Sequence, residues 1–265
     1  MAENPQLTPN YYIKKYNDNT YKLVLFKYHR SNKEINYSAD RNINDNKLDH
    51  HISRARNMIY EYAMCNEWDH FVTLTLDKNK YDRYDLQKYI KDLGQWIRDQ
   101  RKKGQELKYI LIPEPHKDGA WHMHGLVKGF RSEDLRQFEL HEKLPYKVRD
   151  LIKDGHIIYD IPDYRHKFGY VTAEGIRDQD AIAKYITKYV TKALECARTR
   201  EKEKNLYYHS QRLKTAEKII QGTLEPEQLK SVPCDFENDY IKIKDLDQAD
   251  LITFIQAFPD IEIIT

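Results

Sequence analysis

The sequence predicts an α+β fold with a central, largely antiparallel sheet flanked by helices. Three observations support this prediction. The segment 71–76 alternates apolar residues with threonine, as a strand with one buried face does. Apolar residues recur at helical spacing before and after it. Two further strands are separated by a short turn at Asp118-Gly119, which is typical of a hairpin. This order of elements favours an α+β domain over an alternating parallel one.

The elements can be placed along the chain from these periodicities and from the turn residues between them. Strands are predicted at 21–26, 71–76, 107–112, 121–127, 156–160 and 168–172. Helices are predicted at 48–65, 84–103, 131–140 and 178–200. We therefore predict three regions: a strand and loop extension over 1–48, a catalytic-type domain over 49–200, and a basic helical segment with an acidic tail over 201–265.

Composition describes a folded protein and not a disordered one. Of the 265 residues, 40% are hydrophobic and 32% are charged, with 9 Gly and 9 Pro. No apolar run approaches the roughly 18 residues of a membrane span, and the first residues lack a signal-peptide pattern. The three cysteines are scattered and fit reduced thiols. We therefore expect a cytoplasmic protein without a membrane partner.

Charge is distributed unevenly. The formal net charge is +2, but eight acidic residues and two lysines follow residue 233, so the tail carries −6 and the rest +8. Basic stretches at 198–204 and 212–218 are of the kind that contacts a phosphate backbone. A cationic body fits a polyanionic partner, although ordinary surface variation produces similar values.

His122 and His124 are candidate metal ligands, because residues two apart on a strand point to the same face. Glu114, on the preceding strand, is the candidate third ligand. A symmetric turn at Asp118-Gly119 would pair Glu114 with Met123 and place the carboxylate on the wrong face, whereas a one-residue shift would correct this. Such a set favours Mg²⁺ or Mn²⁺, with Zn²⁺ as an alternative. An ordinary half-exposed strand pair is the competing interpretation.

Tyr185 and Tyr189 are candidate nucleophiles, one helical turn apart on the helix predicted at 178–200. A helical projection places both at the margin of the apolar stripe, with Lys184, Lys188 and Lys192 beyond them. Nearby cations favour the phenolate and neutralise a phosphate under attack. Boundary tyrosines that only pack are the alternative, since about 1.6 such pairs are expected by chance and the chain has two.

These motifs, in this order, resemble those of the HUH endonucleases, specifically the rolling-circle replication initiators of single-stranded DNA phages and plasmids. The strand 71–76 is similar to their first motif and His122-Met123-His124 to their histidine motif. Glu114 stands where related phage proteins carry an upstream glutamate, and the segment 185–192 is similar to their two-tyrosine motif. The resemblance covers roughly residues 50–195 and implies a sheet related to the RNA-recognition fold.

The resemblance also implies a chemistry. A divalent ion on His122, His124 and Glu114 would polarise the scissile phosphate. Tyr185 or Tyr189 would attack it, forming a 5′-phosphotyrosyl bond and a free 3′-OH that primes synthesis. The second tyrosine could then cut the regenerated origin and rejoin the strand.

The remaining predicted site residues would assist catalysis or contact DNA. Lys188 and Lys192 each follow a tyrosine by three residues, as the assisting lysine of the family does. The predicted DNA-contacting residues are Thr73, Thr75, Lys184 and Arg198.

The resemblance implies single-stranded origin DNA as partner, in a bacterial cell and with a phage or plasmid as the coding element. The sequence contains no Walker-type phosphate-binding loop, so a separate helicase is expected beside the host polymerase. Three alternatives remain open: a non-catalytic module that binds single strands through stacking aromatics, a metal-dependent hydrolase with structural tyrosines, and an HUH transposase.

Overall fold

The computed structural model describes residues 9–27, 43–187, 205–258 and 262–264, with side chains from His51 onward in the first helix. The chain forms two compact units, one of residues 42–214 and one that combines residues 1–41 with residues 215–265. Each unit contains an antiparallel sheet with helices packed against it, which confirms the predicted α+β class. Within the described residues, no helix combines the length and apolar character needed to cross a membrane.

The described elements are numbered along the chain. The strands are β1 (Tyr11–Lys15), β2 (Tyr21–Phe26), β3 (His70–Thr75), β4 (Lys108–Pro115), β5 (Trp121–Lys128), β6 (Arg136–Gln137), β7 (Ile158–Asp160), β8 (Val171–Gly175), β9 (Tyr208–His209), β10 (Glu217–Gly222), β11 (Phe236–Glu237), β12 (Ile241–Leu246) and β13 (Glu262–Ile263). The helices are α1 (Ile43–Cys65), α2 (Leu86–Lys102), α3 (Tyr146–Lys153), α4 (Pro162–Lys167), α5 (179–187), α6 (Pro226–Ser231) and α7 (Gln248–Ala257).

The larger unit is built on a seven-stranded sheet in the order β6-β7-β8-β3-β5-β4-β9. One face of the sheet is buried beneath α2 and α4. The strand residues of this core are Val72, Leu74, Leu111, Met123, Val127, Val171 and Ala173. They meet the apolar residues Leu86, Tyr89, Leu93, Trp96, Ile97 and Tyr164 of the two helices. Burial of this face fixes which residues point to the other one.

The opposite face carries the polar residues of the same strands. Directly opposite residues of an antiparallel pair share a face, and Glu114 pairs with His122 while His122 pairs with Thr75. The next row contains His124 and Thr73. This face, called the polar face below, is approached by α1 at β4 and by α5 at β3.

Most predicted elements of this unit are present, but the helix predicted at 131–140 is wrong. A short 3₁₀ turn (Ser132–Asp134) is followed by β6, and Leu135 already has an extended backbone with φ −110° and ψ 139°. Arg136 pairs with Asp160 of β7 and forms ion pairs with both Asp160 and Glu142. This pairing with a distant strand overrides the local helical pattern.

The smaller unit corrects the prediction of a helical segment after residue 200. Its six-stranded sheet has the order β11-β12-β2-β1-β10-β13, so strands from both ends of the chain alternate within one sheet. Ile13 of β1 pairs with Leu23 of β2 and with Ile220 of β10, and all three are buried. Helices α6 and α7 contribute Leu229, Leu251 and Phe254 to the same core. The boundaries predicted at residues 48 and 200 stay a prediction.

Gly125 is required for close packing in β5. A Cβ at this position would overlap the carbonyl oxygen of Ile110 and would lie 2.6 Å from Leu111 Cδ2. We expect Gly125→Ala to lower the free energy of unfolding by about 1–3 kcal/mol, as overpacking does. Gly175→Ala in β8 is the matched control, because its Cβ would meet only Ile157 O at 3.9 Å. Urea denaturation of both variants measures the difference, and equal stabilities would contradict this account.

Candidate active site

The β4–β5 hairpin determines whether Glu114 can join the histidines. Pro115 pairs with Trp121 and Glu114 with His122, so a five-residue loop, 116–120, replaces the symmetric two-residue turn. The loop is closed by the His116 amide, which donates to Ala120 O at 2.7 Å, and Gly119 adopts a φ of +86°. This is the one-residue shift that the metal-site hypothesis required. Glu114 therefore lies on the polar face.

Two prolines fit in β4 because of where its second neighbour ends. β9 pairs with Ile110 and Leu111 only. At Pro113 and Pro115, β5 is the one described neighbour, so the missing proline N–H groups break no ladder on the other side. The sequence around Glu114 is thus compatible with a strand.

The three candidate ligand atoms converge in a buried cluster. His122 Nε2 and His124 Nε2 each lie 3.2 Å from Glu114 Oε2, and the two nitrogens are 2.9 Å apart. Glu114 is 2% exposed, His122 6% and His124 9%. Neighbouring ligands of an octahedral ion at about 2.1 Å stand about 3.0 Å apart, against about 3.4 Å around a tetrahedral ion. Two imidazoles and one carboxylate at this spacing could hold a metal ion.

His124 is oriented by contacts on two sides. Its Nδ1 shares a hydrogen bond of 3.1 Å with Thr73 Oγ1, and its ring stacks on Phe71 with centroids 5.9 Å apart. A ligand histidine is usually fixed in this way by a partner at its second nitrogen. Thr73, predicted to contact DNA, therefore contacts a candidate metal ligand, and Nε2 of His124 faces Glu114.

His122 is held differently. Its Nδ1 is buried and has no hydrogen-bond partner among the described residues. The His116 ring packs against the His122 ring with centroids 4.0 Å apart and planes 39° apart. Burial, and then the neighbouring His122, lower the pKa of His116. Sequence reasoning missed His116, although it stands two residues beyond Glu114 on the same side of the strand.

The helix α5 places Tyr185 beside this cluster. Its first turn is capped by Asp178, whose carboxylate accepts a hydrogen bond from the Ala181 amide at 2.9 Å. Ala183 and Ile186 are fully buried, whereas Tyr185 is 45% exposed, at the predicted margin of the apolar stripe. The Tyr185 ring meets Phe71 edge-on with centroids 5.4 Å apart. Since Phe71 stacks on His124, one aromatic ring separates Tyr185 from a candidate ligand.

The other predicted site residues divide into two groups. Thr75 lies opposite His122 on the polar face, and Lys184 is exposed on α5. The remaining predicted residues lie outside the described residues, and these are Lys188, Tyr189, Lys192 and Arg198. The structure therefore brings together Glu114, His122, His124 and Tyr185, with Thr73 behind them.

The segment that forms this site is also the segment with a recognisable relationship. Residues 69–194 match the family model of the replication-associated protein ORF2. The match runs from the residue before β3 through the described part of α5 and includes all three candidate ligands. It indicates a replication-associated protein and is consistent with a rolling-circle replication initiator. No curated protein and no solved structure matches the chain at a significant level.

Proposed function

We propose that this chain is a rolling-circle replication initiator that nicks single-stranded DNA at an origin and rejoins the strands. The observation that carries the proposal is the buried Glu114–His122–His124 cluster with Tyr185 one ring away, inside the segment that matches a replication-associated family. A strand-binding module has no need to bury three ligand atoms within 2.9–3.2 Å of one another.

Glu114, His122 and His124 would hold a divalent cation on the polar face. Bound there, the cation supplies Lewis acidity at a phosphate oxygen. One carboxylate and two neutral imidazoles compensate only one of its two charges, so the site keeps an attraction for an anionic phosphate. The ligand spacing of 2.9–3.2 Å is nearer to octahedral than to tetrahedral geometry, which supports Mg²⁺ or Mn²⁺ over Zn²⁺.

The tyrosines would carry the covalent step. The phenol oxygen of Tyr185 or Tyr189 attacks phosphorus, a tyrosine O–P bond forms, and the bond from phosphorus to O3′ breaks. The phenol proton passes to solvent, and the leaving O3′ takes up a proton to become the free 3′-OH. The second tyrosine would repeat the step on the regenerated origin.

Cationic and hydroxyl side chains would hold the DNA around this step. We assign Lys188 and Lys192 to neutralise the attacked phosphate, and Thr75, Lys184 and Arg198 to contact the strand. The partners of the proposed reaction are single-stranded origin DNA, a separate helicase and a host polymerase, in the cytoplasm of a bacterial cell.

A denaturing gel tests the proposal. A pool of single-stranded DNA of random sequence, labelled at its 3′ end, is incubated with the protein and either Mn²⁺ or Mg²⁺. The 5′-phosphotyrosyl bond retains the 3′ fragment, so we expect the label to migrate with the protein only when a divalent ion is present. Shortened DNA without labelled protein would instead indicate a simple hydrolase. Retention on a native gel without cleavage would indicate a binding module.

A further inference from the structure

The two histidines of the cluster differ in what holds their rings. His124 has a hydrogen-bond partner at Nδ1, the hydroxyl of Thr73. His122 has none at Nδ1 among the described residues, and this atom is buried. A ring without such a partner can rotate about its side-chain bonds unless packing prevents it. The contacts of the His122 ring must therefore fix its orientation.

Two rings make those contacts. His124 meets His122 nearly perpendicularly, with centroids 4.7 Å apart and planes 88° apart. His116 lies closer, with centroids 4.0 Å apart. The backbone of His116 is itself held in the hairpin loop, where its amide donates to Ala120 O at 2.7 Å and its carbonyl accepts from the Gly119 amide at 2.9 Å. His116 is thus a ring on a closed loop, packed against a candidate ligand.

His116 does not belong to the ligand set. The ligand atoms of Glu114, His122 and His124 all lie within 4.8 Å of one another, and His116 is outside that group. It is also exposed, whereas the three ligands are buried. The contact between His116 and His122 joins ring to ring, which is a packing contact and not a shared coordination site.

We propose that His116 is a positioning residue, whose ring stacks on His122 and keeps His122 Nε2 directed at Glu114. The proposal rests on the proposed function only in requiring that the cluster binds a divalent cation. It assigns to the hairpin loop the part that a hydrogen bond from Thr73 has for His124. A phenylalanine at position 116 should supply the same packing, and an alanine should not.

Mn²⁺ affinity of the full chain, measured by isothermal titration calorimetry, tests this assignment. We expect His116→Ala to weaken Mn²⁺ binding about tenfold, the smaller of the effects usual for residues that orient a ligand. His116→Phe should bind Mn²⁺ with the wild-type affinity. His166→Ala, at an exposed histidine of α4, is the matched control and should leave affinity unchanged. Wild-type affinity in His116→Ala would overturn the proposal.

A second readout separates packing from coordination and does not depend on bound metal. In the metal-free protein, the imidazole C–H resonances of His122 should move in His116→Ala and stay unchanged in His166→Ala. If His116→Phe bound Mn²⁺ as weakly as His116→Ala, a nitrogen of His116 would be required and the stacking proposal would be wrong. If the wild-type chain bound no Mn²⁺, the metal part of the proposed function would fail, and the resonances of His122 would still decide whether His116 positions it.

Discussion

Replacing Glu114 with glutamine is expected to weaken Mn²⁺ binding by at least about 100-fold, more than the loss of an orienting residue does. The carboxylate supplies the one negative charge of the cluster, and its Oε2 is 3.2 Å from both histidine nitrogens. Glutamine keeps the shape and one oxygen but loses the charge. Strand cleavage should fall with metal binding, because the cation is proposed to polarise the phosphate.

Thermal unfolding with and without Mn²⁺ measures this effect. At a Mn²⁺ concentration 100 times its Kd, the wild-type protein should gain about 2.7 kcal/mol, and Glu114→Gln should gain much less. Without metal the variant should be at least as stable as the wild type, because it buries no carboxylate. Glu174→Gln is the matched control, since Glu174 contacts His156 at 2.6 Å and lies outside the cluster. Equal stabilisation of all three proteins by Mn²⁺ would show that Glu114 is not a ligand.

Replacing both Tyr185 and Tyr189 with phenylalanine is expected to remove the covalent protein–DNA adduct, with a loss of at least about 10³-fold, in the range found when a nucleophile is deleted. Phenylalanine retains the ring that packs against Phe71, so the fold and the metal cluster should persist. Either single variant should retain adduct formation on the other tyrosine. The variant that loses the first cleavage identifies the attacking residue.

A second tyrosine pair in the chain offers a control for this double substitution. Tyr12 and Tyr16 have the same four-residue spacing and lie in the smaller unit, at β1 and just after it. Tyr12→Phe with Tyr16→Phe should leave adduct formation unchanged. An adduct that survives in Tyr185→Phe with Tyr189→Phe would place the nucleophile elsewhere and refute the tyrosine assignment.

The sheet of the larger unit could be predicted because its strands have clear local patterns. β3 alternates Val72 and Leu74 with Thr73 and Thr75, and this period of two identified both the strand and its buried face. The smaller unit could not be predicted in this way. There β2 pairs with β12, for example Leu25 with Lys242, across more than 200 residues. Basic and apolar residues in such strands resemble helical segments until the partner strand is known.

The site was predictable in its residue types and less so in its geometry. Two histidines on one strand face follow from the period of a strand, but the position of Glu114 depended on a loop of five residues instead of two. The packing of Phe71 between His124 and Tyr185 joins two elements that are distant in sequence. No local pattern specifies such a contact. His116 was missed for a related reason, since its contact with His122 exists only once the hairpin has closed.

Mass spectrometry of the protein after reaction with single-stranded DNA tests the central claim most directly. The account predicts a peptide that carries a nucleotide linked through phosphate to Tyr185 or Tyr189. That peptide should appear with Mn²⁺ or Mg²⁺ and disappear when the metal is chelated. Cleaved DNA without a modified tyrosine, or a nucleotide on any other residue, would contradict the account.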